Sequence, residues 1–219
     1  MNPITFTYEE LLAHRAAGVP SAALERLRAD AEKIISTPPV NVTMRTLRAP
    51  TGDPKDYMSM GPYWWPNPDT PDGLPYVSRD GLINPETVQK INIPELYANY
   101  KTLALAAFYF GDEKYSDYAE RQFIAWYINP ETRMNPNARY AQSVPGRTDG
   151  SGYGLIDFAT AYSLFDALGL LDAMGKISKD TVDGVLGWYN EFIDWMLTSS
   201  RDCLRVTVSA ITALGMMPT

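Results

Sequence analysis

A single cysteine, Cys203, and a single histidine, His14, are all that this chain of 219 residues carries of either. One cysteine excludes an internal disulfide, and the two counts together argue against a His/Cys zinc site or a Cys–His dyad, so no metal is expected. The N-terminus, Met1-Asn-Pro-Ile-Thr-Phe, has no basic region followed by an apolar run, so no signal peptide is expected. A leader trimmed away, or lost to a misplaced start, would leave the same sequence. No apolar stretch of membrane-spanning length is expected either. Basic residues are outnumbered: 19 Lys and Arg against 26 Asp and Glu leave a net charge of −7, which sets the surface as a whole against nucleic acid and anionic membrane. Local convergence of arginines would still let such a protein hold a polyanion. A clear strand pattern is missing as well.

What is present is mostly helical. Hydrophobic content of 45% supplies one substantial core, or part of a larger one. Ser21 predicts the N-cap of a helix reaching about Ser36, with Leu24, Leu27, Ala31 and Ile34 along one face. Pro94 suits the first turn of the next helix, whose stripe is Leu96, Tyr100, Leu103, Ala107 and Phe110, with Gly111 ending it. Asp112 caps a further helix through Tyr115, Tyr118, Phe123 and Trp126, stopped at Asn129-Pro130. The Gly-Asp joint makes this pair an antiparallel hairpin. Two more helices are predicted at about 155–174 and 178–198, the second capped by Ser178. The fold class this implies is all-α, built from antiparallel helical hairpins.

Two long segments have no helical period. The first, roughly residues 38–92, contains Tyr57, Tyr63, Trp64, Trp65 and Tyr76 among prolines and glycines that forbid a long helix or a central strand. Its aromatic content argues against disorder. Flat aromatic faces beside polar groups suit sugar rings, although the same rings would also serve as plugs at the end of a helical domain. The second segment, from Pro130 to about Gly154, holds Arg133, Arg139, Tyr140, Gln142, Arg147, Asp149 and Tyr153.

Three stretches together carry a resemblance: Asp56–Gly81, the run Asn135-Pro-Asn-Ala-Arg-Tyr-Ala-Gln142, and Val144-Pro-Gly-Arg-Thr-Asp-Gly-Ser-Gly-Tyr-Gly-Leu-Ile-Asp157. They are similar to the alginate lyase-like family of polysaccharide lyases, over about residues 40–198. The resemblance implies an (α/α) toroid with long aromatic loops, a cleft for an anionic uronic-acid polysaccharide, β-elimination at the C4–O bond, and no cofactor. Export to the periplasm or beyond is implied too. Elimination requires that the uronate carboxylate be neutralised or hydrogen-bonded so that the weakly acidic C5 proton can leave. A base, usually Tyr or His, takes that proton, and a tyrosine can protonate the leaving oxygen.

Arg147 and Gln142 are the residues this chemistry points to for the carboxylate and hydroxyls, since a guanidinium grips a carboxylate with two prongs. Tyr63, Trp64 and Trp65 would form a wall or lid, and Arg79 lies in the same aromatic loop. The competing reading has Arg147 salt-bridged to Asp149 or Asp157 and Arg79 ordering an acidic loop, while Asp157 suits a helix N-terminus as well as it suits a substrate ligand. Tyr140 and Tyr153 are weak candidates for a catalytic tyrosine and stronger ones for packing. His14, outside the matching stretches, is expected at the surface.

The pattern breaks at the end of the chain. Family members carry Asn-His-Gly-x-Trp-Tyr-Asp soon after the helix equivalent to 178–198, its Asn and His in the catalytic centre. This chain reads Arg201-Asp-Cys-Leu-Arg-Val-Thr-Val-Ser-Ala-Ile-Thr-Ala-Leu-Gly-Met-Met-Pro-Thr219 instead. One choice of codons for Ala210–Pro218, read one base before the Ile211 codon, spells Asn-His-Gly-Thr-Trp-Tyr-Asp, and the Met216-Met217 pair fixes that final Asp whatever the other codons. Residues 1–198 are therefore expected to be the N-terminal part of the toroid and 199–219 an out-of-frame tail, leaving the chain weakly active or inactive and the toroid incomplete. Two alternatives stay open: a non-catalytic helical glycan-binding protein, and an (α/α)-toroid glycoside hydrolase, which would need a carboxylate pair such as Asp149 and Asp157.

Overall fold

A computed structural model describes residues 1–199, so all but the first residue of the tail assigned to a changed reading frame lies outside the described residues. The fold is predominantly helical, and its contacts cluster into two units.

The first unit comprises residues 1–41, 93–133 and 160–188 and holds the helical core. Helix α1 (Tyr8–Ala17) starts from a reciprocal cap, in which Thr7 accepts from the Glu10 amide and Glu10 accepts from the Thr7 amide. None of its residues is buried, which is why no apolar periodicity announces it. Helix α2 (Ser21–Ile35) begins one residue earlier than the cap assigned to Ser21: Pro20 occupies the cap position and no side chain caps it. Helix α3 (Ile93–Phe110) buries Leu96, Tyr97, Tyr100, Leu103, Ala104, Ala107 and Phe108 against α2, α4 (Glu113–Phe123) and α5 (Ala161–Ala173). Phe110, assigned to the same stripe, is half-buried and lies under the Arg28 guanidinium at 3.9 Å. Gly111 ends α3 at φ +68°, and the Asp112 side chain accepts from the Lys114 amide, so the hairpin joint forms as its sequence dictates. The last turn after α4, Ile124–Ile128, widens into a π-helix.

One buried carboxylate ties the N-terminal segment to this core. Asp166 on α5 accepts from the Ile4 and Thr5 amides (2.8 Å each), the Thr5 hydroxyl (2.5 Å) and Lys101 Nζ (2.9 Å). Its side chain is fully buried. Burial alone would raise its pKa, but the bonds from Thr5 and Lys101 outweigh that and hold it below the ordinary carboxylate value.

The second unit comprises, among the described residues, 42–92, 134–159 and 189–199. Helix α6 (Lys179–Thr198) contributes its residues to Trp188 to the first unit and those from Tyr189 to the second. The segments without helical period are ordered by short strands that the sequence pattern does not reveal. Strand β1 (Met58–Met60) pairs in parallel with β4 (Tyr140–Ser143), matching Met58 with Tyr140 and Met60 with Ser143. Strand β2 (Trp64–Trp65) pairs antiparallel with β3 (Val77–Ser78). The double tryptophan is thus a short ladder within a loop. The single helix predicted at 155–174 is two elements: a 3₁₀ turn, Gly152–Phe158, opened by the Ser151 side chain on the Tyr153 amide, and then α5. By length and composition Gly152–Ala173 does meet the requirement for crossing a membrane, contrary to the expectation from sequence, and 67% of that apolar window is buried within the protein.

Candidate functional site

The second unit gathers both non-helical segments, and three local arrangements build the site. The first is a pair of cation-on-tryptophan contacts. Pairing of β2 with β3 fixes the two indoles, and Trp65 Nε1 donates to the Leu82 carbonyl at 3.0 Å. The Arg147 guanidinium carbon lies 5.1 Å from the centre of the Trp64 ring, and Arg79 lies 5.4 Å from the Trp65 ring. Both tryptophans are half-buried and Tyr63 is 45% exposed, so three rings meet solvent.

Arg147 reaches Trp64 because of the residue before it. Gly146 sits at φ +74°, and a Cβ there would stand 2.8 Å from Pro75 Cα. Only glycine lets the 144–148 turn close on Pro75 in that conformation. The contact is sealed by Tyr76 N donating to the Pro145 carbonyl (3.0 Å) and Arg147 Nε donating to the Tyr76 carbonyl (2.7 Å). Neither Asp149 nor Asp157 forms an ion pair with Arg147 among the described residues. The Nη end of the guanidinium makes no hydrogen bond among those residues, which leaves it free to meet an anion.

The second arrangement is a partly buried polar cluster around Asp157. Tyr57 OH (2.9 Å) and Ser59 Oγ (2.5 Å) donate to Asp157 Oδ2, and Gln142 Nε2 donates to Oδ1 at 2.8 Å. Asp157 thus receives three side-chain donors where sequence reasoning offered a loop salt bridge, a helix N-terminus or a substrate ligand. Burial pushes the Tyr57 hydroxyl far up, and the Asp157 charge pushes it further, so Tyr57 stays protonated as a donor. Arg45 stands 4.2 Å above the Tyr57 ring and donates to the Ile91 carbonyl (2.9 Å) and the Met58 carbonyl (2.5 Å). Burial lowers its pKa, opposed by the nearby Tyr57 and Asp157. Ser59 and Arg45 were not among the residues singled out from sequence, and Tyr57 was read there only as one of the loop aromatics; the alternation of Tyr57 and Ser59 two apart was the signal available.

The third is an open cavity of about 500 Å³ lined by Pro50, Thr51, Arg139, Tyr140, Thr148, Asp149 and Gly150. Arg139 is exposed and forms no ion pair among the described residues. Tyr140 is buried on β4 at 9% exposure and borders this cavity, whereas Tyr153 is 75% exposed on the 3₁₀ turn. Hydroxyls, two opposite charges and aromatic faces make this unit a surface suited to a carbohydrate that carries charge.

Comparison with known proteins gives that chemistry a family. The family model described as alginate lyase matches residues 41–205, most of the chain and both non-helical segments, and the chain belongs to that family. A search of solved structures finds the crystal structure of an alginate lyase from Bacteroides ovatus at 36% identity with a TM-score of 0.78. The alignment covers 84% of this chain and 49% of that one, so the chain spans about half the length of its solved relative. No curated protein matches.

Proposed function

We propose that this chain is the N-terminal, substrate-gripping part of a polysaccharide lyase that cleaves an alginate-like uronic-acid polymer by β-elimination. The observation that carries this reading is Arg147: an arginine beside Trp64 whose charged end is unpaired, in a chain of the alginate lyase family. Its guanidinium supplies the two-pronged contact that a uronate carboxylate accepts. Withdrawing charge from that carboxylate is what permits loss of the C5 proton. Trp64, Trp65 and Tyr63 offer ring faces to the sugars, while Arg79 lies over Trp65 on the same ladder. Gln142 is assigned to a substrate hydroxyl. Tyr57 is buried and its hydroxyl is committed to Asp157, which argues against it as the base; Tyr140, at the cavity, and the exposed Tyr153 are the tyrosines open to that role.

The helical hairpins support an (α/α) toroid, of which residues 1–198 supply part, and the tail 199–219 is read as out of frame. An Asn-His pair is missing from the described residues, whose one histidine, His14, is exposed on α1. The proposed consequence is little or no turnover by this polypeptide. Family membership favours a site of action outside the cytoplasm.

The test is to assay the 219-residue chain and the product of the gene with its frame restored after codon 198, on alginate and on a glucuronan, following the ultraviolet absorbance of the new double bond. The restored protein is expected to generate unsaturated products, and the 219-residue chain little or none. Robust turnover by the shorter chain would refute the broken-frame reading. Saturated products would point to hydrolysis, and binding without cleavage by the restored protein to a glycan-binding role.

A further inference from the structure

We propose that Asp157 is a positioning residue that sets the orientation in which Gln142 meets the substrate. The inference rests on the assignment of Gln142 to a sugar contact and adds what holds it there. Gln142 has φ +54°, and among the described residues it is the one residue other than glycine with positive φ. Such a conformation is unfavourable for a residue with a Cβ and persists only where its surroundings enforce it. Here both ends of the residue are tied to one carboxylate. The Gln142 amide nitrogen of the main chain donates to Ser59 Oγ at 2.8 Å, and that hydroxyl donates onward to Asp157 Oδ2 at 2.5 Å. The Gln142 side chain donates from Nε2 to Asp157 Oδ1 at 2.8 Å.

A carboxylate only accepts, so it dictates which way the glutamine amide faces. The NH₂ group turns toward Asp157, and Oε1 and the second N–H are left without a hydrogen bond among the described residues. Gln142 is half-buried, so this outward edge meets solvent. The edge offered is one acceptor and one donor, the pair that suits a sugar hydroxyl or a hydroxyl beside a carboxylate. Tyr57 OH, the third donor on Asp157, comes from the base of β1 and locks the carboxylate itself. Close approach of the 152–158 turn to β4 makes the cluster possible: a Cβ on Gly154 would lie 2.6 Å from Ala141 Cβ and 2.9 Å from the Ala141 carbonyl.

Two readouts on the full 219-residue chain test this. The first needs no ligand: the side-chain amide of Gln142, observed by NMR, is expected to exchange slowly with solvent, and D157A is expected to abolish that protection. Alanine offers no acceptor, so the bond from Gln142 Nε2 is lost with those from Tyr57 and Ser59. An amide unchanged in D157A overturns the proposal. The second is calorimetric binding of a mannuronate tetrasaccharide. Q142A and D157A should each weaken it about tenfold, and the double variant by no more than about tenfold, because Asp157 acts through Gln142. Losses that multiply to about a hundredfold would show an independent role and overturn it. If D157A does not fold, S59A cuts the link to the main-chain amide alone, and the same non-additivity with Q142A is expected. An effect of R147A without one of Q142A keeps the uronate reading and sinks the positioning role; a wild-type chain that does not bind sinks both.

Discussion

Replacing Gly146 with alanine should unseat Arg147 without touching any group that contacts substrate. Two costs add. At φ +74° a residue with a Cβ loses about 1–2 kcal/mol relative to glycine. The new methyl would also stand 2.8 Å from Pro75 Cα, 3.1 Å from Pro75 Cβ and 3.3 Å from Leu74 Cβ. Because the nearest atom is backbone, it has no rotamer through which to escape, and overpacking of this kind costs about 1–3 kcal/mol. The sum is about 2–5 kcal/mol. Relief requires the 144–148 turn to retreat from Pro75, which stretches the Arg147 Nε to Tyr76 carbonyl bond of 2.7 Å and withdraws the guanidinium from Trp64. Gly52 supplies the control. Its φ is +75° and nothing lies within 4 Å of the position of its Cβ, so G52A carries the conformational cost alone. Urea unfolding followed by tryptophan fluorescence should place G146A below G52A by about 1–3 kcal/mol, with native-state emission altered only in G146A. Equal midpoints and equal spectra for the two variants would refute the argument that Gly146 is required by the approach to Pro75.

Acid should weaken the N-terminal anchor in a defined window. A carboxyl whose pKa is lowered in the folded state contributes stability above its ordinary value near 4, and loses it as pH falls through the lowered value. Asp166 is of this kind. D166N should therefore cost about 2–3 kcal/mol near neutral pH, with the gap to wild type closing on acidification below about pH 4; a gap independent of pH would contradict the assignment. Sequencing the gene from codon 195 past codon 219 should show Asn-His-Gly-Thr-Trp-Tyr-Asp in the other frame, continuing as helical protein. A closed alternative frame would remove the broken-lyase reading and leave binding by the loops.

The parts of the fold that could be read from sequence are those in which neighbours along the chain decide. Gly111 and Asp112 mark the α3–α4 joint because a left-handed glycine and a capping carboxylate act within a few residues. The stripe of α3 repeats with the helical period and is buried. Helix α1 escaped because it buries nothing, and its cap, Thr7 with Glu10, is its only mark. The break between the 3₁₀ turn and α5 escaped because Leu155, Ile156 and Phe158 continue the apolar run without a change of spacing.

For the site, residue types pointed to Arg147, Trp64, Trp65 and Gln142, but not to their partners. Parallel pairing of β1 with β4 joins positions about eighty residues apart, and each strand is only three or four residues long. No local period announces such a pair. The Asp157 cluster depends on that pairing, since it draws Tyr57 from just before β1, Ser59 from β1 and Gln142 from β4. A half-buried carboxylate among distant donors is therefore visible only once the chain is folded.

These loops are proposed to grip a uronate polymer through its carboxylates. Isothermal titration of the 219-residue chain with a mannuronate tetrasaccharide, and with the same sugar after its carboxyls are reduced to alcohols, tests it most directly. Saturable binding of the uronate, loss of about tenfold or more on carboxyl reduction, and a matching loss in R147A are predicted. Equal affinity for the charged and reduced sugars, or binding indifferent to R147A, would contradict it.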